Sequence, residues 1–134
     1  MLALLLTLYR RRLLPLLLIA VADLAADGLA AGLKAATGVD RPADAHPLVH
    51  VPHSSSFPSG HTATSFACAT VLAVAAPRIA PAFYLLAFAI GYSRVYVGVH
   101  WPLDVVGGAL LGTATALLLL AAVRRLSGAS LRSG

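Results

Sequence analysis

Polar residues in this chain come in bursts, and between the bursts the sequence is almost unbroken Leu, Ala and Val. Four apolar stretches stand out: Leu13 to Leu33, His61 to Ala76, Ile79 to Val97 and Pro102 to Val123. A helix needs roughly 20 apolar residues to cross a bilayer, and these stretches fall near that length. The second is short and suits a tilted helix or a locally thinned membrane. Pro15, Asp23 and Asp27 interrupt the first. Pro77 and Pro81 bracket a tight turn between the second and third, and Pro102 suits the first turn of a helix. Met1 to Leu8 is apolar but too short to span, and reads as the tail of a longer helix. Thr37 to Ser59 is the one long polar loop. The pattern predicts an all-α integral-membrane helical bundle of about four transmembrane helices plus a partial N-terminal helix. It forms one domain over residues 1–126, with 127–134 a disordered cytoplasmic tail.

Composition moves the solvent from water to lipid. The 134 residues are 59% hydrophobic and 11% charged, against about 25% charged in ordinary soluble domains. A soluble domain this small buries too little of its surface to hide that much apolar area. The formal net charge of +5 does not indicate nucleic acid, because the basic residues form no stripe interleaved with aromatics. Cys68 is the single cysteine. It excludes an intramolecular disulfide and a cysteine-rich metal cluster, and reads as a small buried hydrophobe. The N-terminus places apolar residues before Arg10 to Arg12, the reverse of a secretory leader, so no cleaved segment is expected.

Charge placement gives an orientation. With four spans, Arg10, Arg11, Arg12, Arg78, Arg124, Arg125 and Arg132 all fall on one side, which the positive-inside rule assigns to the cytoplasm. Lys34, Arg41 and Arg94 fall on or near the opposite side, where orientation does not call for cations. Asp23, Asp27 and Lys34 share a helical face by their spacing. Charges within a membrane normally face the bundle interior or a wet cavity, and the two aspartates read as supporting groups.

Four separate segments thus deliver polar chemistry to the same membrane face. Lys34 ends the first span, and Arg41 and Pro42 open the loop. Ser59, Gly60 and His61 start the second span, Ser93 and Arg94 end the third, and His100 and Asp104 flank the start of the fourth. Three cations in a low-dielectric pocket repel one another unless an anion joins them. Guanidinium forks match phosphate oxygens, and Lys adds a point charge. The free N–H groups of a helix beginning near Gly60 and His61 favour negative charge, and Gly60 allows close backbone approach. Asp104, four residues after His100, can fix its tautomer and leave the other ring nitrogen as a nucleophile. His61 can give a proton to a departing oxygen. Read alone, Ser59 is equally a plain helix N-cap, and His100 with Asp104 equally a structural pair.

This pattern resembles the type-2 phosphatidic acid phosphatases, the integral-membrane lipid phosphate phosphatases related to vanadium haloperoxidases. It has three parts: KAATGVDRP from Lys34 to Pro42, PSGH from Pro58 to His61, and SRVYVGVHWPLD from Ser93 to Asp104. The resemblance implies that Lys34, Arg41, Ser59, Gly60 and Arg94 hold phosphate, and that His100 attacks phosphorus to form a phosphohistidine. It further implies that Asp104 orients His100 and that His61 protonates the leaving group. It implies no metal and no cofactor, and the sequence offers no carboxylate cluster for magnesium. Expected partners are membrane lipids and a lipid phosphate or diphosphate substrate: undecaprenyl diphosphate, favoured because the site lies on the non-cytoplasmic face, or phosphatidic acid or phosphatidylglycerol phosphate. Family members carry more helices ahead of the first motif, so the chain matches the family's C-terminal part. The alternatives are an inactive truncated remnant, a non-catalytic binder of lipid head groups, or a vanadate-dependent haloperoxidase, which the hydrophobicity disfavours.

The remaining features read more plainly. His46, His50 and His53 suggest zinc only superficially, since Pro47 and Pro52 break any helix that would align them. Gly108 and Gly112 form a small-xxx-small pair for tight helix packing, with a homo-oligomer through the last helix as one use. Tyr92, Tyr96 and Trp101 suit an interfacial aromatic belt, with Trp101 also within possible reach of substrate. Ser54 to Ser56 read as solvated loop.

Overall fold

Pro15 does not end the first helix. In the computed structural model, which describes residues 2–42, 51 and 53–130 with side-chain detail between 13 and 127, α1 runs unbroken over Leu2–Thr37. The stub ending at Leu8 and the span beginning at Leu13 are one element, not two. Proline's φ is already helical and only one backbone donor is lost, a defect that apolar spanning helices tolerate. The other helices are α2 (Gly60–Ala75), α3 (Ala80–Tyr96) and α4 (Pro102–Ser130), with a 3-10 turn at Pro77–Ile79 between α2 and α3. Pro81 lies in the first turn of α3, where its missing N–H has no intrahelical partner to lose. α4 continues through Ser127 to Ser130, past the point where the tail was expected to start, because Val123 to Ala129 contains no proline and the ladder simply propagates.

The chain is an integral-membrane helical protein. Leu13–Thr37, Pro77–Tyr96 and Pro102–Ser127 are each long and apolar enough to cross a bilayer. α2, with 16 residues, is about 24 Å long, short of the ~30 Å hydrocarbon core. Its position explains how that is tolerated: α2 packs against α1, α3 and α4 and is the hub of the bundle.

Side-chain size sorts opposite to a soluble core. Ala22, Ala26 and Ala30 of α1 meet Ala63, Ala67 and Val71 of α2 and Ala116 of α4. Large residues such as Leu24, Leu85, Phe88, Leu110 and Leu118 face outward. Lipid is as apolar as leucine, so small residues that let backbones approach gain the most from the interior. Gly108 and Gly112 carry this furthest. A Cβ on Gly108 would sit 2.5 Å from the Ser59 carbonyl oxygen, and one on Gly112 would collide with the Ala63 carbonyl. The small-residue notch of α4 is therefore filled by α2 of the same chain. Membrane hydroxyls are paired locally: Thr115 donates to the Leu111 carbonyl at 2.8 Å and Thr70 to that of Phe66 at 2.8 Å.

The up-down path of the helices sets the two ends apart. Arg78, Arg124 and Arg125 lie at the end where α2 finishes and α3 begins, while Lys34, Arg94 and the starts of α2 and α4 lie at the other.

Candidate active site

The polar end of the bundle holds a cavity of about 590 Å³. Lys34, Arg41, Arg94, Gly60, His61 and His100 line it, together with Asp27, Ser54, Thr64 and Val99. Six of the eight residues singled out from sequence thus reach one space from four chain segments.

Each arrives by a definable local device. α3 ends in a Schellman turn: the Val99 N–H bonds to the Arg94 carbonyl at 3.2 Å and the Gly98 N–H to that of Val95 at 3.0 Å. Gly98 takes φ +77°, a left-handed conformation suited to glycine. The turn hands the chain directly to His100. Asp104, at the third position of α4, reaches back with Oδ2 to accept the Trp101 N–H at 2.8 Å, the carboxylate half of a capping box. The same oxygen faces His100 Nδ1 at 3.4 Å. Asp104 is 2% exposed and His100 5%. The carboxylate thus stands behind the imidazole, and Nε2 is left as the ring nitrogen for cavity chemistry.

His100 is held in its uncharged form. Burial, then the positive charges of Arg41 and Lys34, lower its pKa from 6.5 to about 4, against the opposing pull of Asp104. A neutral imidazole at neutral pH is the form that can act as a nucleophile.

The start of α2 forms the opposite wall. Ser59 is the N-cap residue yet makes no side-chain cap. Instead its hydroxyl accepts from Thr62 Oγ1 at 3.0 Å, and its side chain is fully buried. Ser59 and Asp104 are the two predicted site residues that stand behind the cavity wall. A helix leaves its first N–H groups without intrahelical partners, and the Gly60 and His61 backbone lies at the wall where an anion can take them.

Lys34 and Arg41 also clamp the neighbouring loop. Lys34 Nζ donates to the Ser55 carbonyl at 2.9 Å. Arg41 Nε donates to the Ser54 carbonyl at 3.0 Å and Nη1 to that of Val99 at 2.8 Å. Ser54 is exposed, as a solvated loop would be, but its carbonyl and that of Ser55 are held, and Ser56 is not solvated. Ser56 is buried, its N–H bonds to the Val39 carbonyl at 2.8 Å and its hydroxyl to that of Asp40 at 3.1 Å. Serine's short donor-acceptor side chain suits pinned turns as well as solvent, so composition did not separate the two. Arg94 reaches the cavity with its Nε held by Ser93 Oγ at 3.1 Å. The Trp101 indole donates to the Asp40 carbonyl at 3.0 Å, tying the loop to the start of α4. Tyr92 and Tyr96 stack in the open at 6.4 Å. His46 and His50 lie outside the described residues. The cavity residue that sequence reasoning left in a supporting role is Asp27, two helical turns before Lys34 on the same face.

Fold and site together define a class: an all-α membrane bundle with a cation-lined cavity and a carboxylate-backed histidine at one end. Residues 12–127 match the PAP2 superfamily, and the chain belongs to it. It is 41% identical over 73 residues to the bacitracin transport permease protein BcrC of Bacillus licheniformis, covering 54% of this chain and 36% of that one. It is 44% identical over 63 residues to an undecaprenyl-diphosphatase of Sulfolobus acidocaldarius, covering 46% and 31%. The matched stretch is thus about a third of these curated relatives' length. Among solved structures, the crystal structure of Aquifex aeolicus LpxE superposes with a TM-score of 0.76 at 38% identity, covering 89% of this chain and 74% of that one.

Proposed function

We propose that this chain hydrolyses a lipid phosphate or prenyl diphosphate, undecaprenyl diphosphate favoured, and releases inorganic phosphate through a phosphohistidine on His100. The observation that carries this reading is the single cavity shared by Lys34, Arg41, Arg94, Gly60, His61 and His100. The names of the Sulfolobus and Bacillus relatives support the substrate class. A non-cytoplasmic face for the site is supported by Arg78, Arg124 and Arg125, which gather at the opposite end.

The three cations and the α2 N–H groups hold the phosphate oxygens and stabilise charge as it spreads in the transition state. His100 Nε2 attacks phosphorus while the bond to the leaving oxygen breaks, and His61 donates its proton to that oxygen. Asp104 stabilises the positive charge that His100 acquires. Water then attacks the phosphohistidine, giving its proton to His61, and the P–N bond breaks to free phosphate and restore both histidines. Ser59, behind the wall, holds Gly60 in place.

Phosphate release by purified protein across a panel of prenyl diphosphates and lipid phosphates tests the reading. Wild type releases phosphate, and His100→Ala loses at least roughly 10³-fold. Equal release by the two proteins sinks the mechanism.

A further inference from the structure

The phosphate cavity contains a carboxylate that phosphate binding does not call for. Asp27 lines it beside Lys34, Gly60 and His61, and its side chain is exposed to the space. Asp27 Oδ1 lies 3.8 Å from where a Cβ on Gly60 would stand, so the carboxylate rests against the first turn of α2, next to His61. Among the described residues Asp27 accepts no hydrogen bond, whereas Asp23, one turn earlier, takes a long contact from Cys68 Sγ at 3.8 Å. An uncompensated negative charge in an anion site repels the ligand unless a nearby positive charge uses it.

The charges that act on His61 name that user. Burial first, then the positive charges of Arg94 of α3 and Lys34 of α1, oppose a proton on the imidazole, and Asp27 of α1 is the negative charge that favours it. Lys34 and Arg94 are placed to grip phosphate, so a histidine among them sheds its proton readily. A group that must deliver a proton to a leaving oxygen needs a local counter-charge.

We propose that Asp27 is the positioning residue for His61: its carboxylate, in the same cavity and against the first turn of α2, strengthens the imidazole's hold on its proton beside the cationic phosphate grip. This rests on the proposed phosphatase reading for its chemical purpose. The site then contains a carboxylate for each histidine. Asp104 backs the His100 that attacks, and Asp27 favours the proton on the His61 that donates.

Two measurements test this on the full chain in detergent micelles. The first is the NMR titration of His61, assigned through its loss in His61→Gln. Asp27→Asn, which keeps the shape and removes the charge, lowers the midpoint by about one pH unit or more, and Asp27→Glu returns it towards wild type. An unchanged midpoint in Asp27→Asn overturns the proposal. The second is leaving-group dependence. An alkyl phosphate needs a proton on its departing oxygen, whereas an aryl phosphate with an acidic phenol does not. Asp27→Asn lowers the ratio of alkyl to aryl hydrolysis by at least roughly tenfold. Equal losses on both substrates indicate a merely structural role and overturn the proposal. If wild type releases no phosphate from either ester, the phosphatase reading fails, and the titration still decides the pairing.

Discussion

The backbone N–H of Ser59 donates to the backbone carbonyl of Asp104 at 2.9 Å. One hydrogen bond thereby joins the residue ahead of α2 to the residue that backs His100, 45 positions later in the chain. The two helix starts are registered by backbone, and the spacing of Gly60 and His61 from His100 does not depend on a flexible side chain. Gly108 makes the approach possible, because any Cβ there would lie 2.5 Å from the Ser59 carbonyl oxygen.

Gly108→Ala therefore pushes the start of α2 away from α4. We expect a loss of about 1–3 kcal/mol of stability, as for overpacking elsewhere, together with a fall in phosphate release. Gly112→Ala is worse, since its Cβ collides with a backbone carbonyl that cannot move aside. Gly28→Ala meets nothing within 4 Å and gains up to about 1 kcal/mol from helix propensity. Thermal unfolding of the three variants in one detergent checks the order.

Asp104→Asn should lower kcat roughly 10²-fold or more, with a smaller change in KM. The amide still accepts from the Trp101 N–H, so the capping turn survives. It does not stabilise the positive charge on His100 during attack. Steady-state kinetics on a soluble short-chain lipid phosphate separates the two constants.

The pH profile follows from His100. Its folded-state pKa is lowered to about 4 from 6.5, so the attacking form is present at neutral pH and is lost as pH falls through about 4. The acid limb of kcat/KM in the free enzyme should sit there. Lys34→Met removes one of the charges that lower the value, and moves the limb to higher pH. The sign for stability is the same. The unfolded chain takes the proton first, so the contribution of neutral His100 is complete above about 6.5 and declines as pH falls toward 4. A profile whose limb does not respond to Lys34→Met contradicts the electrostatic assignment.

Arg41→Lys tests the clamp on the serine segment. The guanidinium spans the Ser54 and Val99 carbonyls, and an ammonium with one donor centre does not bridge them in the same way. Amide exchange should quicken at Ser56 and Val99, and KM for phosphate esters should rise about tenfold or more. Exchange confined to wild-type rates shows that the segment is held by the Val39 and Asp40 contacts alone.

Much of this site was legible in one dimension because its signals are local. A run of apolar residues predicts a helix without knowledge of its neighbours, and Lys34, Arg41, Arg94, His61 and His100 are marked by being charged or polar at the ends of such runs. The three-part spacing then brought them to one face. Local rules failed where a residue's state depends on what another segment does. Pro15 could end a helix in water, but α1 carries it through an apolar environment. Ser54 to Ser56 has the composition of solvated loop, yet Lys34 and Arg41 reach its carbonyls and Ser56 is buried, so only Ser54 stays exposed.

The sequence by itself determined the number of apolar helices, the end of the bundle at which the cations gather, and the residue types available for phosphoryl transfer, since hydropathy and helix-end chemistry are properties of short stretches. Only the tertiary structure decided that Ser59 and Asp104 stand behind the cavity wall while Asp27 stands in it. It also decided that Gly108 and Gly112 receive α2 of the same chain. Those assignments depend on which backbone approaches which across the bundle, and close packing between distant segments leaves no trace in the hydropathy of either one.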